Sequence, residues 1–82
     1  MLERDHFPIA DIRVTAKRLK TLEPDKVQQI AEDMLENGQT TPIRVRAEGD
    51  TYLLVEGLHR LEALKALGED TVDGYLVQGV LR

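Results

Sequence analysis

Thr51-Tyr52-Leu53-Leu54-Val55-Glu56-Gly57-Leu58-His59-Arg60-Leu61-Glu62-Ala63 joins an apolar run, Tyr52 to Val55, to a helical run from Leu58 to Leu67 through a single glycine. A junction of strand, glycine and helix presents free backbone N–H groups and the positive end of the helix dipole, and both favour an anion. His59 and Arg60 fall in the first helical turn, so the stretch is a candidate phosphate site. Glycine also serves tight turns for backbone reasons alone, so the flanking sequence has to decide.

Upstream, Ile43, Val45 and Ala47 alternate with Arg44 and Arg46, and Thr41-Pro42 opens that run. Alternation predicts a half-buried strand, and the short Glu48-Gly49-Asp50 link predicts an antiparallel hairpin with the strand ending at Val55. Tyr52 to Val55 is apolar on both faces, which predicts a central strand. Farther back, Val27, Ile30, Ala31, Met34 and Leu35 recur at the spacing of a core-facing helical stripe,. Pro24 suits the first helical position, and Asn37-Gly38 supplies the stop. On this helix Lys26, Gln29 and Asp33 share one flank, a flank that can look toward a neighbouring cleft.

Ile9 to Val14 reads as a short strand with Ala10, Ile12 and Val14 inward, preceded by a polar start. Thr15 to Glu23 reads as a loop with at most one helical turn, its Lys17, Arg18 and Lys20 forming a solvated face together with the preceding Arg13,. After the Gly57 junction, Leu61, Ala63, Leu64 and Leu67 form a packing face, and Gly68 stops the helix. A helical wheel puts Arg60 on the buried side beneath the helix entrance, and Leu58, Glu62 and Lys65 on the outer side. Thr71 to Val77 is the last strand, expected parallel to Tyr52–Val55 through a right-handed crossover. The expected fold is α+β: a small mixed sheet of about four strands with two main helices, in a single domain of residues 1–82 with its core in residues 9–77.

At 82 residues without cysteine, the chain has no disulfide or thiolate site to support a core that buries only roughly 60–65% of the unfolded surface. Dimerisation, through a tail at residues 78–82, is one way to add buried area. No stretch approaches the ~20 apolar residues of a membrane span, and the N-terminus lacks the pattern of a signal peptide; a cytoplasmic location is expected. The formal net charge of −4 works against generic DNA binding, which relies on a basic surface.

Thr41-Pro42-Ile43, the hairpin, Val55-Glu56-Gly57-Leu58-His59-Arg60-Leu61-Glu62-Ala63 and Leu67-Gly68, together with Glu23-Pro24-Asp25-Lys26-Val27-Gln28, resemble the ParB/sulfiredoxin superfamily over nearly the whole chain. The resemblance implies a nucleotide, ATP or CTP with Mg²⁺, whose phosphates sit at the helix entrance. It implies phosphate contact by His59 and Arg60, close approach at Gly57, and nucleotide contact by Lys26. Sulfiredoxins carry their reactive cysteine between the glycine and the histidine, where this chain has Leu58. Sulfinic acid reduction is therefore excluded for want of a nucleophile. Gln29 and Asp33 stand where sulfiredoxins have hydroxyl residues, and Asp33 would repel phosphate unless a metal ion intervened. Partition proteins of the superfamily continue into a helix-turn-helix domain, before which this sequence ends. Related free-serine kinases place an acidic residue before the glycine of a comparable motif, where this chain has Glu56.

Three functions follow as expectations. The leading one is a domain that binds a nucleoside triphosphate or similar phosphate ligand through Gly57, His59, Arg60 and Lys26. A second is a phosphotransferase or NTPase assisted by Glu56. The third is an adaptor or regulator with a vestigial site, meeting a protein or DNA partner through Leu58, Arg18, Arg44, Arg46 or the tail. No residues fall at metal-ligand spacing.

Overall fold

Alternation in the Arg44-Val45-Arg46 stretch decides the centre of the molecule. In the computed structural model, which describes residues 3–77, Ile43–Glu48 forms β3 and Thr51–Glu56 forms β4. They pair antiparallel with Val45 opposite Leu54 and Ala47 opposite Tyr52. Ile43, Val45 and Leu54 are essentially inaccessible to solvent, while Arg44 is exposed and ion-paired with Glu56 at 3.4 Å. The predicted polarity holds from Ile43 to Val45, while Ala47, expected on the same face, is exposed and Arg46 is half-buried.

Five strands form the sheet, where about four were expected. Besides the hairpin these are β1 (Glu3–Pro8), β2 (Ile12–Arg13) and β5 (Thr71–Leu76), in the order β1-β5-β3-β4-β2. The β1 stretch reads as polar because it is an edge strand, which tolerates charge on its open side. Its Phe7 enters the core, at 4.9 Å between ring centroids and edge-on to Tyr52. Arg4 and His6 instead meet Asp73 of β5 at 2.9 and 2.6 Å. That hydrogen-bonded carboxylate raises the Arg4 pKa above its ordinary value. The predicted strand from Ile9 to Val14 shrinks to β2, because Ile9–Asp11 is a 3-10 turn. Ile9 and Ile12 are buried and Ala10 is exposed, a three-residue period in place of two.

Two expectations about strand order need correction. The central strand is β3, between β5 and β4, and β4 lies one in from the edge beside the two-residue β2. The last strand, β5, runs parallel to β3 and so opposite to β4. The connection between β4 and β5 carries the helix α3, Leu58–Ala66. Nine residues at 1.5 Å each span about 13 Å, enough to cross two strand spacings of about 4.8 Å. The chain moves sideways over β3, which α3 contacts, and β5 begins at the end where β3 begins.

The short helix α1 (Ala16–Leu19) is the single turn expected in the basic loop, capped by the Thr15 hydroxyl, which accepts the Arg18 N–H. The longer helix α2 (Pro24–Asn37) starts and stops where the proline and Asn37-Gly38 predict. It packs on α3, with Met34 buried and Val27, Ile30 and Ala31 half-buried against the core. Leu35 departs from expectation: it is 73% exposed, because contact with one helix covers a narrower stripe than a full core face,. After α2, the Gln39 amide donates to the Asp73 carbonyl and accepts the Asp73 N–H, both at 2.9 Å, extending the parallel pairing of β3 and β5 by a side chain.

α3 is the inner helix, lying between the sheet and α2. Leu58, Leu61, Ala63 and Leu64 are all buried, which spreads its apolar surface over more than one side. The expectation that Leu58 faces solvent is therefore wrong. At 6% exposure it offers little surface to a partner; α3 packs against both α2 and β3, so a wheel with one apolar face does not describe it. Among the described residues no helix is long and apolar enough to cross a membrane. The tail at residues 78–82, proposed from sequence as a pairing segment, lies outside the described residues.

Candidate functional site

Gly57 fixes where α3 starts. Its φ of +111° is closed to ordinary L residues,, and a Cβ there would lie 2.6 Å from Ile43 Cγ2. The backbone therefore passes close over the start of β3, and the helix begins without a side-chain cap. The Leu61 N–H donates to the Gly57 carbonyl at 2.9 Å, which leaves the N–H groups of Leu58, His59 and Arg60 in the unsatisfied first turn.

Charge in that turn is arranged against the usual preference. A helix N-terminus favours carboxylates and disfavours cations by roughly 0.3–1 kcal/mol each, and α2 conforms, with Asp25 in its first turn. The first turn of α3 has no acid and carries His59 and Arg60. Both are half-buried. Among the described residues Arg60 and the exposed Arg18 form no ion pair, whereas Arg4, Arg13, Arg44 and Arg46 each meet a carboxylate.

These residues share one cavity of about 300 Å³ with α2. Its lining is Lys26, Ile30, Gly57, Leu58, His59 and Arg60. All four residues assigned to the ligand from sequence, Gly57, His59, Arg60 and Lys26, are thus brought together. Gln29 and Asp33 are not. Gln29 lines a separate depression with Asp25, Gln28 and Glu32, and the Asp33 carboxylate accepts the Asn37 amide at 2.9 Å. The anticipated repulsion of phosphate by Asp33 has no place in this cavity. Glu56 is also outside it: its exposed carboxylate pairs with Arg44 across the hairpin. Arg18 is exposed on α1, on an element that contributes nothing to the lining.

Two contributors escaped the sequence reading. Ile30 belongs to the apolar stripe of α2, and nothing in its spacing separates the cavity wall from the core. Glu23, the N-cap residue of α2, touches two lining residues: its N–H donates to His59 Nε2 at 3.0 Å, and its carboxylate lies 3.3 Å from Lys26 Nζ. The His59 contact joins the starts of α2 and α3. Since Nε2 accepts, the neutral imidazole carries its proton on Nδ1, the nitrogen left to donate elsewhere.

A second hollow of about 320 Å³ lies toward the other ends of the two helices, lined by residues that include Met34, Gln39, Leu67 and Asp73. It is slightly larger, but it is lined by two carboxylates, Glu69 and Asp73, the latter engaged by Arg4 and His6. The cationic lining and the open helix end belong to the cavity at Gly57.

Comparison with known proteins agrees with this architecture. No curated protein matches the sequence. Sulfiredoxin from Arabidopsis thaliana is similar with a TM-score of 0.83 and 27% identity, over 94% of this chain and 86% of that one. A C-terminally truncated chromosome-partitioning protein ParB from Caulobacter crescentus, complexed with CTP-gamma-S, has a TM-score of 0.77 and 24% identity. This chain is covered over 98% of its length there but spans 46% of that protein. A free serine kinase mutant in complex with ADP has a TM-score of 0.77 and 18% identity, over 90% of this chain and 30% of the kinase. The family model of the ParB N-terminal domain matches residues 3–80, and the chain belongs to that family, within the ParB/sulfiredoxin superfamily.

Proposed function

We propose that the cavity at Gly57 binds the phosphate groups of a nucleotide, with the first-turn N–H groups of α3, Arg60, His59 Nδ1 and Lys26 as donors. One observation carries this reading: a half-buried guanidinium with no carboxylate partner among the described residues stands at a helix N-terminus that has no acid. Without an anion, that arrangement sets the positive helix end against a partly desolvated cation. A phosphate reverses both penalties, accepting from Arg60 in charge-assisted fashion and from the helix donors.

The two structural neighbours bound to CTP-gamma-S and ADP support a nucleotide over inorganic phosphate alone. A volume of about 300 Å³ is at the lower end of ligand cavities, roughly 300–1,000 Å³. This suits a phosphate chain and the adjoining sugar better than a whole enclosed nucleotide. The lining contains no carboxylate, so Mg²⁺ would arrive on the phosphates and not on a ligand set of the protein.

Isothermal titration with ATP, CTP and GTP, each with Mg²⁺, tests the reading. Micromolar to millimolar binding of at least one, weakened tenfold or more in Arg60→Ala, is the expected result. Absence of binding by the wild type, or unchanged binding in Arg60→Ala, overturns it.

A further inference from the structure

Glu23 borders the proposed phosphate site without lining it, and it meets two of the lining residues by different atoms. Its backbone N–H goes to His59 Nε2 at 3.0 Å, and its carboxylate faces Lys26 Nζ at 3.3 Å. An acid at a helix N-cap is favoured by the helix dipole whether or not a ligand exists. Yet the Glu23 side chain makes no capping hydrogen bond; its carboxylate lies against the one cation that α2 lends to the cavity. Both side chains are 60% exposed. Such a pair contributes little to stability, so a ligand can displace it readily.

We propose that Glu23 sets the charge selectivity of the cavity, holding Lys26 in the ligand-free protein and penalising each further negative charge on the ligand. This rests on the phosphate-binding reading of the same site. A phosphate chain entering beside Lys26 must compete with the Glu23 carboxylate for the ammonium and then lie near that displaced carboxylate. Longer, more highly charged chains meet the larger penalty. The helix-entrance donors and Arg60 hold a first phosphate irrespective of Glu23. The residue therefore acts through Lys26 as a positioning and selectivity group.

Glu23→Gln separates its two contacts. The backbone N–H to His59 is kept, the side chain keeps its length, and only the charge goes. Titration calorimetry on the full chain with inorganic tripolyphosphate and with inorganic phosphate, at low and near-physiological salt, is the test. Glu23→Gln is expected to tighten tripolyphosphate about two- to fivefold, the scale of an exposed ion pair, and monophosphate less. The gain shrinks as salt rises and is smaller in a Lys26→Ala background. Binding by a wild type whose affinities Glu23→Gln leaves unchanged, or alters equally for both probes and without salt dependence, overturns the selectivity role alone. If neither wild type nor variants bind either probe, the selectivity role falls, while the phosphate reading stands or falls on the nucleotide titration. Thermal unfolding of Glu23→Gln within a few degrees of wild type shows that the comparison concerns charge and not folding.

Discussion

His59 Nε2 accepts the backbone N–H of Glu23 at 3.0 Å, across 36 positions of sequence. This bond fastens the first turn of α3 to the N-cap of α2 and holds the two sides of the cavity in register. His59→Ala removes the acceptor and leaves the Glu23 N–H to water, a loss of about 0.5–1.5 kcal/mol for one hydrogen bond. Urea unfolding measures it, with His59→Gln, whose amide oxygen again accepts, expected in between. Nitrogen-15 NMR of the neutral imidazole should show the proton on Nδ1; a proton on Nε2 would contradict the contact.

Gly57 and Gly68 both have positive φ, at +111° and +77°, but only Gly57 is crowded, by Ile43. Gly57→Ala meets backbone strain of about 1–3 kcal/mol and overpacking of about 1–3 kcal/mol more. Gly68→Ala, with nothing within 4 Å of its Cβ, should lose only the strain. Equal thermal shifts in the two variants would show that Ile43 yields to the added methyl.

Arg60→Met should separate function from stability. It removes a half-buried cation from the positive end of α3 while keeping an apolar stem. Stability in ligand-free buffer should stay level or rise by up to about 1 kcal/mol, even as nucleotide affinity falls. A clear loss of stability instead would point to a structural contact made by Arg60.

Leu58 and Leu35 test the layer order. Leu58 is 6% exposed and Leu35 is 73% exposed, although sequence periodicity assigned them the opposite places. Leu58→Ala should destabilise by about 2–5 kcal/mol, as core Leu→Ala changes do. Leu35→Ala should stay within about 0.5 kcal/mol of wild type, like other open surface sites. Denaturant midpoints of the two variants decide the matter.

The amino-acid sequence determined the elements whose signals are local. Alternation around Arg44 and Arg46 defined the hairpin, Pro24 and Asn37-Gly38 bounded α2, and the glycine between Val55 and His59 marked the helix entrance, as the structure has them. Tertiary structure alone decided which element covers which. Periodicity tells how many sides of a helix are apolar, but not that α3 packs against both α2 and β3 with Leu58 buried, or that contact with one helix leaves Leu35 in water. It also cannot place β5 beside β3, since that pairing joins segments distant in sequence. The same packing of two helix starts brings Lys26 and Glu23 to His59 and Arg60. A glycine and two basic residues thus become one side of a cavity, because hydrogen bonds and ion pairs between distant segments exist only once the layers close.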